Sequence, residues 1–205
     1  MQAVIEHQRR PRLTGPERRD AILDAALPLF AREGYGRASI NAVVAATGVT
    51  KPVLYDHFAS KRELYLALLE RESTTLRAEF ETAYDPEAPL DQRLATLART
   101  HIVFVRRRPD AARLLFRTPD GDEVTRAAHE RLRAMAREAG TVAILADPAF
   151  EATPGLSRAT SAALLADLHG AVLERLARWA LEHPRTPARV LTTVFVDVLW
   201  RGLSR

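Results

Sequence analysis

The sequence predicts an all-α fold of about nine helices, on three observations. Apolar residues recur at intervals of three and four along most of the chain. Residues that favour helix ends, among them serine, threonine and glycine, stand at the borders of these periodic stretches. No stretch alternates apolar and polar residues between turn signals, which is the pattern of a half-buried strand.

The first helix is predicted to begin after Thr14. Thr14 and Glu17 have the spacing of a capping box, in which each residue bonds the backbone of the other. Gly34 is expected to end this helix, because glycine readily adopts the left-handed conformation of a C-terminal cap. Residues 1–13 lack periodicity and are interpreted as a flexible basic arm, which either enters a minor groove or serves as a solubilising tail.

Two short helices follow and predict a helix-turn-helix. Ser39 can cap the first of them, which ends at Thr47 and Gly48, and Thr50 can cap the second. Two helices joined by a tight glycine-containing turn are the elements of this motif, whose second helix enters the major groove of DNA. Residues 14–60 are therefore interpreted as an N-terminal three-helix helix-turn-helix DNA-binding domain.

The remaining residues, 61–205, predict a helical bundle for ligand sensing and dimerisation. Ser60 and Glu63 form a second capping box that opens a long fourth helix, which extends to about Tyr84. The run Arg106-Arg107-Arg108 is interpreted as complementing the dipole at the end of its helix. Further helices are predicted at about 90–107, 111–117, 122 to the 140s, 157–182 and 187–203.

Composition narrows the classes of protein. Hydrophobic residues make up 47% of the 205 residues and charged residues 27%, as in globular domains. There is no cysteine, which excludes disulfides and thiolate metal sites. No apolar run resembles a signal peptide or a membrane span, so a cytoplasmic protein without membrane contact is expected.

Residues 1–62 contain ten Lys/Arg and six Asp/Glu, an excess of four that equals the net charge of +4 for the whole chain. This asymmetry favours a nucleic-acid surface at the N-terminal end.

The stretch from Ala38 to Leu64 resembles the DNA-binding domain of the TetR family of regulators. It contains Gly-Val-Thr-Lys at the turn, Leu-Tyr three residues on, then a Phe, Ser-Lys and Glu-Leu. The resemblance covers about residues 14–70. It implies phosphate and base contacts at the start of the recognition helix, phosphate contacts beside it, and apolar base readout by the proline and valine. The residues it assigns to DNA are Ser39, Thr50, Lys51, Pro52, Val53, Tyr55, His57 and Lys61.

The same resemblance implies a homodimer built by the last two helices. An apolar stripe on the first of them includes Leu164, Leu168, Val172, Leu176 and Trp179. The last helix has a wide apolar arc of Val190, Leu191, Val194, Phe195, Val198 and Leu199. A helix that apolar is either paired with a partner or buried inside its own chain, and for any one of these residues both alternatives stay open.

The resemblance further implies a small-molecule effector that enters the body and releases the operator. Candidate pocket residues combine apolar surface with a few polar tips, and plain core is the simpler alternative for most of them. They are Phe80, Tyr84, His101, Phe104, Phe116, Met135 and His169.

These features predict a ligand-responsive regulator, with repression of a palindromic operator as the expected outcome. An enzyme is not expected, because the catalytic signatures fail: His129-Glu130 begins a zinc-helix pattern, but Arg133 stands where the second ligand is needed. No metal or cofactor is expected. The alternative is a helical protein-interaction module that binds no specific DNA.

Overall fold

The computed structural model describes residues 14–197, and the statements that follow concern this part of the chain. The predicted basic arm and the end of the predicted last helix lie outside the described residues. The described part is all-helical, as predicted, and contains nine helices: α1 Gly15–Arg37, α2 Ile40–Thr47, α3 Lys51–His57, α4 Lys61–Ala83, α5 Leu90–Arg107, α6 Pro109–Leu115, α7 Glu123–Leu145, α8 Arg158–Glu182 and α9 Ala188–Val196.

Local capping explains where most of these helices begin. The capping box before α1 is present, with Thr14 N donating to Glu17 Oε2 at 2.7 Å and Glu17 N donating to Thr14 Oγ1 at 3.4 Å. Ser60 accepts from Glu63 N before α4, but the Glu63 carboxylate accepts from Ala59 N instead of completing the predicted box at Ser60. The cap satisfies one additional backbone donor in either arrangement.

α1 changes direction at Gly34. This residue has φ 81° and ψ 174°, and the helical backbone resumes after it as far as Arg37. The prediction that Gly34 ends the helix is wrong, because this glycine leaves helical geometry as expected but separates two helical stretches of one element. The kink brings the C-terminal turn of α1 towards the connection between α6 and α7.

A first apolar core joins α1, α2 and α3 to the beginning of α4 and to α6. Its fully buried side chains include Phe30, Val43, Leu54, Phe58 and Leu114. Because α6 contributes to the same cluster as α2 and α3, the helix-turn-helix rests directly on the larger helical body. The predicted boundary at residue 60, between a DNA-binding domain and a domain for sensing and dimerisation, therefore stays a prediction about the roles of the two parts.

The body is organised around α5, which contacts α4, α6, α8 and α9, while α7 packs along α8. One cluster places Ile102 and Val105 of α5 against Ala177 of α8 and Leu191 of α9. Another contains Phe195 of α9. For Leu191 and Phe195, burial inside the chain is the alternative that the structure supports. Among residues 14–197, no helix is both long and apolar enough to cross a lipid bilayer.

Candidate nucleic-acid interface

The turn between α2 and α3 has a defined backbone. Gly48 ends α2 in the left-handed conformation, with φ 70° and ψ 7°, where glycine has no steric cost. The Thr47 hydroxyl donates to Val43 O at 3.0 Å and accepts from Val49 N at 3.3 Å. These bonds hold the two helices of the motif in one relative orientation.

The inner faces of the two helices are apolar and buried, as predicted. Val43, Leu54 and Phe58 are fully buried, and the half-buried Ile40 packs against the same core. The Arg19 guanidinium lies 4.8 Å from the centre of the Phe58 ring. Burial of Leu54 and Phe58 four residues apart requires the opposite face of α3 to point away from the core.

That opposite face carries most of the residues assigned to DNA. Thr50, Lys51 and Pro52 are exposed at the start of α3, and Tyr55 is 42% exposed one turn later. Val53 and His57 are half-buried at the edges of this face. Thr50 occupies the predicted N-cap position, but its side chain forms no capping bond, so its exposed hydroxyl is not engaged at the helix end.

Ser39 and Lys61 take part in contacts within the chain. The Ser39 hydroxyl accepts from Asn41 N at 3.2 Å and caps α2. Lys61 Nζ donates to Gly36 O at 3.1 Å and lies 4.8 Å from the centre of the Tyr35 ring. Burial lowers the pKa of Lys61, and the charge of Asp120 partly opposes this effect. An ammonium has three N–H donors, and the bond to Gly36 O uses one of them. The other donors can still reach a phosphate, so the predicted phosphate contact of Lys61 stays a prediction.

The connection between α6 and α7 forms hydrogen bonds with α1 and α4, the helices that flank the two helices of the motif. Tyr35 N donates to Asp120 Oδ1 at 3.1 Å, and Arg117 Nη1 donates to Phe30 O at 2.9 Å. Arg62 donates to Asp122 Oδ2 through Nε at 2.9 Å and through Nη2 at 2.6 Å. Residues 118–121 belong to no predicted helix, since they lie between the predicted helices at 111–117 and at 122 to the 140s. Their contacts lie up to 85 positions away in the chain, and no local pattern indicates them.

Residues 22–68 match the family model described as bacterial regulatory proteins, tetR family. The transcriptional activator FasR of Mycolicibacterium smegmatis is 36% identical over 119 residues, which are 58% of this chain and 53% of that protein. Residues 22–68 are therefore a DNA-binding domain of the TetR-family type. Another relative, the transcriptional repressor ComR of Escherichia coli, is 40% identical over 70 residues, or 34% of this chain and 32% of ComR. The chain thus aligns with about half the length of the first of these TetR-family relatives and a third of the second.

The likeness of fold to a solved regulator extends over the whole described body. A crystal structure of a TetR-like transcriptional regulator from Rhodococcus sp. RHA1 superposes with a TM-score of 0.78 at 21% identity, over 94% of this chain and 99% of that one. At this identity the likeness shows the fold alone. The family model thus covers the helix-turn-helix and the first part of α4, whereas the comparison of the body rests on its architecture.

The structure brings together three of the seven candidate effector residues. The His101 ring lies 6.3 Å from the Phe80 ring and 4.6 Å from the Phe116 ring, measured between centroids. Phe104 is fully buried nearby on α5, and His169 stands apart against Phe195 at 5.9 Å.

Two further candidates lie at the surface. Tyr84 is 44% exposed and its hydroxyl accepts from Arg93 at 3.2 Å, while Met135 is 54% exposed on α7. These two side chains do not join the group around His101, so the seven residues do not line one site in this conformation. Their roles towards an effector stay predictions.

The described residues have surface recesses, two of which differ in their relation to the candidate effector residues. The larger, about 800 Å³, lies between α4 and α5 and contains none of the seven candidates; its lining includes Thr75, Ala78, Arg99, Val103 and Arg107. The smaller, about 300 Å³, lies between α1, α6 and α8 and includes Phe116. Within residues 14–197, no three histidine, aspartate or glutamate side chains converge as a metal site requires.

Proposed function

We propose that this protein is a DNA-binding transcriptional regulator that binds a palindromic operator as a homodimer and responds to a small molecule. One observation carries the proposal. α3 has a buried apolar face and an exposed face with Thr50, Lys51 and Tyr55, and the whole motif matches the TetR-family model. Hydroxyl and ammonium groups at the start of such a helix suit contacts with phosphates and base edges.

Dimerisation is supported by an exposed apolar stripe. On α8, Leu164, Leu168 and Trp179 are 48%, 45% and 39% exposed. On α9, Val190 and Val194 are 42% and 47% exposed, while Leu191 and Phe195 on the same helix are buried inside the chain. Large apolar side chains clustered at the surface mark interaction sites. Val198 and Leu199, predicted for the same arc, lie outside the described residues.

A two-fold axis through this stripe gives the operator its geometry. The recognition helices of such a dimer must lie about 34–36 Å apart to enter successive major grooves. A ligand that binds one spacing better than the other shifts the population of DNA-competent dimers. A coupling of about 1–3 kcal/mol is typical of such systems.

The regulatory sign we propose is repression, relieved by the effector. The relatives named above include one activator and one repressor, so the sign is tested separately. A reporter gene placed behind the recovered operator should be silent with the protein and active without it. Higher reporter output with the protein than without it would instead identify an activator.

The central experiment is selection of duplexes from sheared genomic DNA, followed by gel shifts at rising salt. We expect retention of a palindromic site, and a linear fall of log affinity with log salt concentration. A protein-interaction module that uses its basic end only for charge would retain all duplexes alike. Equal retention of the recovered site and a scrambled duplex would therefore reject the regulator.

A further inference from the structure

The group around His101 contains a buried acceptor without a partner. His101 is 4% exposed, and its Nε2 atom has no hydrogen-bond partner within residues 14–197. The ring forms a hydrogen bond with the backbone of Leu173 in α8, and this bond raises the pKa of His101. A rise of the pKa indicates that the backbone group is a carbonyl, which accepts from the ring N–H. Because Nε2 is unpartnered, this bond belongs to Nδ1. Nδ1 therefore carries the proton, and Nε2 of the neutral ring presents a lone pair.

The ring stays neutral at ordinary pH. Burial lowers the pKa of His101 to about 4, and the bond to Leu173 opposes this only in part. A neutral acceptor held out of water costs free energy until a donor reaches it. A carboxylate cannot satisfy the lone pair, because it brings only acceptors and a charge that would also need burial.

Two aromatic rings frame this acceptor. Phe80 is stacked on the His101 ring with an interplanar angle of 14°, and Phe116 is tilted by 40°. Phe80 and Phe116 are both half-buried, whereas His101 and Phe104 are buried. Neither surface recess is lined by His101. Phe80 and Phe116 are partly exposed rings in contact with the buried His101, so a molecule that enters beside His101 changes its contacts with one of them.

His169 provides an internal comparison. Its Nε2 is also buried without a partner in the described residues, and its ring bonds the backbone of Leu165. Its one described ring contact is Phe195, tilted by 39°. His169 thus shares the unpartnered lone pair of His101 but lacks the two flanking rings.

We propose that His101 Nε2 is the polar anchor for the effector, an uncharged and mainly apolar molecule with one hydroxyl or N–H donor. This inference rests on the proposed function and specifies the chemistry of its ligand. The donor of the effector binds Nε2, and its apolar body replaces the contact between Phe80 and His101. Because Phe80 belongs to α4, the helix that follows the recognition helix in the chain, its displacement acts on the element that links the two parts of the chain.

The test uses the full chain with ¹⁵N-labelled histidine and three probes: phenol, 4-ethylphenol and 1-hexanol, each paired with its methyl ether. The ether keeps the apolar body but has no donor. We expect at least one alcohol to shift the His101 Nε2 resonance and to bind about tenfold more tightly than its ether. His101→Phe should abolish this preference, whereas His101→Gln, which keeps an acceptor oxygen, should retain part of it. His169→Phe should leave it unchanged.

Several results would overturn the inference. They are an unmoved Nε2 resonance with all three alcohols, equal binding of alcohols and ethers, an equal loss in His169→Phe and His101→Phe, or an Nε2 already hydrogen-bonded to water in the free protein. Operator binding is measured on the same samples. Intact operator binding with failed probes removes only this ligand assignment, while probe binding without any operator binding removes only the regulator.

Discussion

Glu72 Oε2 accepts a hydrogen bond from Arg108 Nη2 at 2.6 Å, and the glutamate side chain that forms it is completely buried. The other carboxylate oxygen, Oε1, accepts from Arg71 Nε at 2.9 Å, and Arg71 reaches Asp24 of α1 at 2.8 Å. A buried carboxylate is stable only when its charge is paired and hydrogen-bonded. The junction of α5 and α6 is thus tied through α4 to the first helix.

Removal of Arg108 should therefore destabilise the protein more than its surface position suggests. Arg108→Met leaves Glu72 with Arg71 alone, and we expect a loss of about 1–3 kcal/mol in the free energy of unfolding. Arg107→Met is the matched control, because Arg107 is exposed and forms no ion pair within the described residues; its effect should stay within about 0.5 kcal/mol. Urea unfolding at one fixed protein concentration measures both variants. Equal midpoints would show that the pair contributes no stability.

The ion pair between Glu72 and Arg108 shows which features of the fold the sequence could predict and which it could not. Helix starts at Thr14, Ser39 and Ser60 and the break at Gly48 depend on neighbouring residues, and the structure confirms them. Glu72 lies four residues after Leu68 and four before Leu76 on the apolar face of α4, which is a signal that it needs a partner. Which arginine meets it depends on how α4 and α5 pack. The dipole explanation for the three arginines therefore omitted the main contact of Arg108.

The candidate site also has features that a local sequence pattern predicts and features that depend on contacts between distant helices. The exposed face of α3 follows from the spacing of Leu54 and Phe58, so a local pattern could predict it. The hydrogen bond to Asp120 and the grouping of Phe80, His101 and Phe116 depend on contacts between distant helices. Composition selects aromatic and histidine residues for a pocket, but it cannot say which of them meet. Met135 shows this, because an apolar residue with the right chemistry lies on the outer surface of α7.

Gly34 and Gly36 should respond oppositely to alanine. Gly34 has φ 81° and ψ 174°, a region that is open essentially to glycine, and a Cβ there would collide with Asp120 and Arg117. Gly34→Ala should cost about 1–3 kcal/mol. At Gly36 an added Cβ meets Asp120 O at 3.5 Å, an ordinary contact, so Gly36→Ala should be neutral or stabilise by up to about 1 kcal/mol. Thermal unfolding compares the two, and a similar loss in both would contradict the role given to the Gly34 backbone.

Stability should fall as the solution becomes acidic, partly through His129. Burial, followed by the charges of Arg133 and Arg117, lowers the pKa of His129 to about 4 from 6.5. The unfolded chain therefore binds a proton that the folded chain refuses, and stability present above pH 6.5 is lost as the pH falls towards 4. His129→Gln should make this slope shallower, by at most about 1.4 kcal/mol per pH unit.

Tyr65 provides the control for that slope. Its hydroxyl lies 2.9 Å from His129 Nε2, and burial raises the pKa of Tyr65 to about 12, so it stays protonated throughout this range. Tyr65→Phe removes the hydrogen bond but leaves His129 buried. Unfolding free energies from pH 4 to pH 8 should then be lower at every pH, with the slope kept. A wild-type slope in His129→Gln would assign the acid sensitivity to other groups.

Lys51 should contribute to DNA affinity through charge. It is exposed at the first turn of α3, where the resemblance to the family implies a contact beside phosphate and bases. If the contact is to phosphate, Lys51→Ala should weaken binding to specific and scrambled duplexes alike and reduce the salt slope by about one. Arg131→Ala removes the same charge from an exposed position on α7 and should leave the slope unchanged. Fluorescence anisotropy at four salt concentrations measures the slopes, and identical slopes in both variants would remove Lys51 from the interface.

Tyr55 should act through its hydroxyl. It is exposed one turn after Lys51, and the helix is anchored by Leu54 immediately before it. Tyr55→Phe keeps the ring, so the fold should be unchanged while operator affinity falls by about fivefold to tenfold, the effect of one lost hydrogen bond. Circular dichroism confirms the fold, and anisotropy measures affinity. Full operator affinity in Tyr55→Phe would show that the hydroxyl makes no contribution and that Tyr55 acts only through packing of its ring.

Leu168 should be essential for pairing of two chains. It lies at the middle of α8, 45% exposed, between Leu164 and the half-buried Val172 on the same stripe. Leu168→Glu places a charge in the proposed interface, where burying it without a partner is costly, so light scattering should report the mass of one chain instead of two. Val142→Glu is the control, because Val142 is 62% exposed on α7 and is not one of the residues of the stripe, and this variant should stay dimeric. Since one recognition helix reads only half of a palindrome, Leu168→Glu should also lose preference for the full operator over a single half-site. A dimeric Leu168→Glu would move the two-fold axis to another face, and the spacing of the recognition helices would then have to be derived from that face instead of from α8.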